Sequence, residues 1–103
     1  MSTQPNMANF RWLARKYGIT GAILPSSQET KKLMVQTPAG AWVHFGDNRY
    51  QDFTTHGDLR RRLSYCARAG GIRDAAGNLT GNDPESPNYY AMRLLWDCTP
   101  SST

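Results

Sequence analysis

Two short apolar runs separated by three turn-forming residues set the first constraint on the fold. Leu33–Thr37 (LMVQT) and Ala41–Gly46 (AWVHFG) flank Pro38-Ala39-Gly40. Apolar residues recur at alternate positions along these runs, as they do in a strand with one face buried. A three-residue connection containing Gly joins such runs as antiparallel neighbours. The spacing predicts a β-hairpin over about 31–46, with Trp42 and His44 on one face and Val43 and Phe45 on the other. Lys31 and Lys32 at its start suit an edge strand kept soluble by charge.

The other apolar positions recur at helical spacing, so helices must cover the hairpin. Phe10, Leu13, Ala14 and Tyr17 predict a helix over 9–17, capped by Asn9 and ended by Gly18. Ile19 to Leu24 is an apolar patch in a connector. Thr55-x-x-Asp58 has the form of a capping box and predicts a helix over 56–68. Leu59, Leu63 and Cys66 would face the core there, and Gly70-Gly71 would end it. Ser86 as N-cap with Pro87 at the first helical position predicts a third helix over 87–97. Its apolar residues surround the axis, which suits a central core element or an interface. Segment 46–55 reads as a polar loop studded with aromatics, and 72–85 as a long functional or mobile loop. The expected architecture is α+β: polar tails at 1–8 and 98–103, and one domain over 9–97 with a hairpin packed by two or three helices.

A chain of 103 residues has room for one domain with a modest core. Eleven aromatics (three Trp, five Tyr and three Phe) supply much of that core, in a chain only 39% hydrophobic. Such a domain is marginal alone or is completed by neighbours. Twelve Lys and Arg against eight Asp and Glu leave a net charge of +4, which favours acidic partners, nucleic acid included. The polar start of the chain does not resemble a signal peptide. No apolar run approaches the roughly 20 residues of a membrane span. Cys66 and Cys98 have no metal-ligand spacing. Reduced thiols in a cytosol-made chain are the expectation, with a Cys66–Cys98 bridge as the alternative.

His44 and His56 are the only histidines. With Asp47, Asp52 or Asp58 either could hold a metal or act as a general base. There is no HExxH, cysteine cluster, nucleophile elbow or phosphate loop around them. The residues therefore predict no catalytic group, metal or cofactor; His44 packs beside the hairpin and His56 serves a local turn. Arg60, Arg61, Arg62, Arg68 and Arg73 form the sharpest charge feature and are the expected contacts for a partner protein or nucleic acid. Successive residues on a helix point about 100° apart, so these arginines cannot all face one ligand and at least one pairs internally. Tyr50 to His56 reads as a structural corner, in which Asp52 and Thr54 bond neighbouring backbone groups above Tyr50 and Phe53.

The string VHFGDNRYQDFTTHGDLRRRLSY, followed by YYAMRLLW, resembles a family of small uncharacterised proteins of large DNA viruses and some bacteriophages. The resemblance covers roughly residues 33–97. It rests on His44, Phe45, Gly46, Tyr50, Asp52, Thr54, His56, Asp58, Arg61, Arg62, Tyr65, Arg68, Leu94, Leu95 and Trp96. This chain departs from the pattern at Ala69, where relatives often place His, and that departure weakens an enzymatic reading. The resemblance implies a viral source more than an activity; together with the small size, thin aromatic core, polar tails and absent active site, it leads to the expectation of a virion structural or assembly protein made in the host cytoplasm, such as a minor capsid, cement or portal-associated component. Its partners would be other virion proteins, the major capsid protein among the candidates, in an oligomer or multi-copy array. The alternative is a basic nucleic-acid-binding accessory protein using the Arg60–Arg68 helix.

Overall fold

The computed structural model describes residues 7–98, so most of both expected tails lies outside the described residues. The chain forms helix α1 (Met7–Tyr17), strands β1 (Ile23–Pro25), β2 (Lys31–Gln36) and β3 (Trp42–Asp47), and helices α2 (Phe53–His56) and α3 (Leu59–Ala69). A 3₁₀ turn at Thr80–Asn82 leads to α4 (Pro87–Tyr90), which runs directly into a π-helical turn at Ala91–Leu95. This is an α+β domain, and the hairpin forms as its alternation predicts. Leu33 pairs with Phe45 and Val35 with Val43 across β2 and β3.

The sheet has a third strand that the sequence pattern hides. β1 pairs antiparallel with β2, Ile23 opposite Val35 and Pro25 opposite Leu33. Three residues ending in Pro are too few to show alternation, and Pro is tolerated there because β1 is an edge. The lysine-bearing β2 is therefore the central strand, not an edge. α1 begins at Met7, so Asn9 lies inside the helix and does not cap it. The 72–85 segment is tied down: Arg73 bridges Leu79, and the Asp74 carboxylate accepts from the backbone N–H of Ala76 and of Asn78.

One face of the sheet carries the core. Leu33, Val35 and Phe45 are covered by Phe10, Leu13 and Ala14 of α1 and by Tyr90, Ala91, Leu94 and Leu95. The start of the last helix follows its signals, with the Ser86 hydroxyl accepting from the Asn88 N–H. Its end does not continue as an α-helix: the Trp96 N–H reaches the Ala91 carbonyl at 3.2 Å, five residues back. Gly46 lets this turn approach the sheet. Its φ is +83°, and a Cβ there would sit 2.7 Å from Leu95 Cδ1.

The helix expected over 56–68 forms as α3 from Leu59, while the segment 46–55 expected to be loop ends in a separate short helix, α2. Gly57, at φ 65°, separates the two. Asp52 caps α2, and Asp58 caps α3 by accepting from the backbone N–H of Arg60 and Arg61. Asp58 is thus an N-cap and not the third residue of a box begun by Thr55. The inward face is also rotated from the expected one. Leu59 and Leu63 are 60% and 70% exposed, whereas Ala69 is buried. The cysteines are bonded, with Cα atoms 5.7 Å apart, and not free thiols. A separation of 32 residues carries no local signal, and only the returning C-terminal turn brings Cys98 to α3.

Closing a loop of that length predicts that the Cys66→Ser/Cys98→Ser double variant loses about 3–4 kcal/mol of stability in urea denaturation. In the same assay Leu94→Ala should cost about 2–5 kcal/mol, whereas the outward Leu63→Ala should stay within about 0.5 kcal/mol of the parent.

Candidate functional site

Helix α3 divides into three faces. Arg62, Cys66 and Ala69 dock it to the body of the domain. The Arg62 guanidinium donates to the Asp97 carbonyl from Nε at 3.1 Å and Nη2 at 2.6 Å, and also lies over the Phe53 ring. Cys66 bonds Cys98, and the Ala69 carbonyl accepts from Asn88 Nδ2 at 2.9 Å. Leu59, Leu63 and Ala67 form the second, exposed face. The third face bears Arg60, Arg61, Ser64, Tyr65 and Arg68 and walls a cleft of about 610 Å³.

Opposite these residues the cleft is lined by Lys32 of β2, by Gly46 and Asp47 at the end of β3, by Tyr50, Gln51 and Asp52 after it, and by Ala91, Leu95 and Trp96 of the C-terminal turn. Tyr65 and Trp96 stack with centroids 4.2 Å apart and planes 10° from parallel. Burial pushes the Tyr65 phenol above its usual pKa; Arg68 opposes that rise and Asp52 adds to it. The phenol therefore stays protonated near neutrality. Tyr50 stands at the rim, 66% exposed, with the Arg49 guanidinium over its ring.

The two carboxylates of the cleft are both occupied. Asp52 is 3% exposed and accepts from Lys32 Nζ at 2.5 Å. Its other oxygen accepts from the Thr54 N–H at 3.0 Å and from the Thr54 hydroxyl. Asp47 is held by the Arg49 fork, at 3.1 Å from Nε and 2.7 Å from Nη2. Those bonds lower its pKa to about 2. The guanidinium groups of Arg60 and Arg61 face no carboxylate partner among the described residues. Arg68 lies over the Tyr65 ring. The cleft therefore offers uncompensated positive charge beside an apolar and aromatic wall.

The structure brings together Arg60, Arg61, Arg68, Tyr50, Asp52, Tyr65 and Trp96 from the residues singled out in the sequence. Thr54 and Asp58 stand just outside as cap residues. Arg62 turns away to the Asp97 carbonyl, and Arg73 bonds the Gly77 carbonyl on a separate turn. His44 lies on the outer face of the sheet against the Ser26 hydroxyl at 2.7 Å. His56 ends α2, and its side chain lies outside the described residues. Lys32 and Ser64 are site residues not evident from sequence. They belong to separate elements, and Lys32 reads from sequence as an edge-strand charge. Among the described residues no three His, Cys, Asp or Glu side chains gather as metal ligands, and no helix is long and apolar enough to cross a membrane.

Residues 22–69 match a family of unknown function (DUF5754). The matched segment runs from the start of the sheet through α3 and so carries the basic wall of the cleft, but not Trp96 or Cys98. No curated protein and no solved structure matches the chain.

Removing the Asp52 carboxylate strands Lys32 with little access to water. Asp52→Ala should therefore cost about 3–5 kcal/mol, and adding Lys32→Met should recover much of it in a double-mutant cycle. Carbon-detected NMR should place the Asp47 midpoint near pH 2. Because its folded pKa lies below the unfolded value of 3.8, the stability it contributes is complete above that value and lost as the pH falls through about 2.

Proposed function

We propose that the protein is a small structural or assembly component of a viral particle that acts through protein–protein contacts made by α3. One observation carries this reading: α3 is docked along a single arc, and its two leucines point into solvent. A helix that keeps Leu59 and Leu63 at 60% and 70% exposure presents apolar surface that a partner can bury. The Cys66–Cys98 bond supports the reading, because disulfides persist on virion surfaces and in other oxidising settings and are rare in cytosolic proteins. So does the resemblance to small proteins of large DNA viruses and bacteriophages.

Mass spectrometry of purified particles should find the chain at a fixed ratio to the major capsid protein. Leu59→Ser/Leu63→Ser should remain folded, within about 1 kcal/mol of the parent, yet be missing from particles. Absence of the parent chain from intact particles would remove this reading.

The uncompensated Arg60, Arg61 and Arg68 favour a second reading, a nucleic-acid-binding accessory role for the other free face of α3. It predicts binding to DNA or RNA that weakens steeply with salt, because phosphate contacts release counterions. No electrophoretic shift at low salt would count against it.

A further inference from the structure

We propose that the α3 cleft is a binding site for a nucleoside phosphate, either free or as one unit of a single-stranded nucleic acid; this deepens the nucleic-acid reading and rests on it. The cleft combines the two surfaces that such a ligand requires. Arg60, Arg61 and Arg68 present planar cationic forks, the geometry that bonds two phosphate oxygens at once. Tyr65 beside them, with Leu95 and Trp96 opposite, forms an apolar wall against which a flat base can pack.

Three features distinguish this cleft from an ordinary basic surface. Its carboxylates are already taken by Lys32 and Arg49, so they do not neutralise the arginines. Its volume of about 610 Å³ falls within the range of about 300–1,000 Å³ typical of small-ligand sites. It is also concave and closed on one side by the C-terminal turn, so a base can leave water there, whereas duplex DNA keeps its bases stacked inside. An acidic protein segment would satisfy the arginines but would leave the aromatic wall without a flat partner.

The test is titration of the full, disulfide-bonded chain at low salt with four probes, followed by calorimetry and by amide NMR shifts. The probes are a nucleoside monophosphate, inorganic phosphate, an oligothymidylate and an oligoglutamate. The monophosphate, the oligothymidylate or both should bind, with shifts at Arg60, Arg61, Ser64, Tyr65 and Trp96. Binding of the monophosphate assigns a free nucleotide as ligand. Binding of the oligothymidylate alone assigns a strand. Arg61→Ala and Arg68→Ala should each weaken binding by about tenfold or more while leaving the melting temperature unchanged. Arg61→Lys should restore it only in part, because the charge returns without the fork.

Inorganic phosphate binding as tightly as the monophosphate would overturn the proposal, since the wall would then contribute nothing. Binding of oligoglutamate alone would overturn it in favour of a protein partner. Duplex DNA retarded in gels while no single-stranded or free nucleotide enters the cleft would overturn it but leave the nucleic-acid reading standing. Failure of all four probes, with duplex DNA also unretarded in gels, would remove both.

Discussion

The stack of Tyr65 on Trp96, reinforced by the adjacent Cys66–Cys98 bond, is the interaction on which the rest of the site depends. Consecutive residues of α3 meet alternate residues of the C-terminal segment, one pair through rings and one through sulfur. Between them Asp97 adopts φ 46°, a conformation that Asp tolerates better than most residues. Its carbonyl accepts from Arg62 of α3 while its carboxylate accepts from Lys16 at 2.7 Å and Tyr17 at 2.6 Å on α1. This short segment, together with the Asn88 amide on the Ala69 carbonyl, joins α3 to the rest of the domain, and α3 contributes little else to the core. A small domain with a thin interior can hold a helix this way without burying its apolar stripe.

The consequence is a helix with two unused faces of opposite chemistry. Had the leucines packed inward, the arginines would have faced solvent on the far side and no cleft would exist. Docking through Arg62, Cys66 and Ala69 rotates the helix so that Arg60, Arg61 and Arg68 wall a concavity. The same rotation leaves Leu59 and Leu63 on the outside. Both proposed roles, assembly contact and nucleotide binding, derive from this single choice of inward face.

Much of the scaffold was legible in the sequence because its signals are local. The hairpin follows from alternation around Pro38-Ala39-Gly40, and α1 from the spacing of Phe10, Leu13 and Ala14. The start of the last helix follows from Ser86-Pro87. What failed was non-local. β1 is too short to show a period and exists because Ile23 and Pro25 find partners on β2. The amphipathic pattern of α3 points its leucines inward, but the nearby surface offers the Trp96 indole and the Cys98 sulfur, which Tyr65 stacks on and Cys66 bonds. Tyr65, Trp96 and the arginines were each visible as candidates, yet only the tertiary fold shows that they share one cleft with Lys32. It also shows that Arg62 and Arg73 do not belong to it.

Amide hydrogen exchange tests most directly whether α3 is held by the C-terminal segment. The oxidised parent would be compared with a Cys66→Ser/Cys98→Ser/Trp96→Ala variant. Amides of Leu63 to Ala69 should lose most of their protection in the variant, while those of β2 and β3 keep theirs. Undiminished protection across α3 in the variant would show that the helix is held by contacts other than the stack and the disulfide.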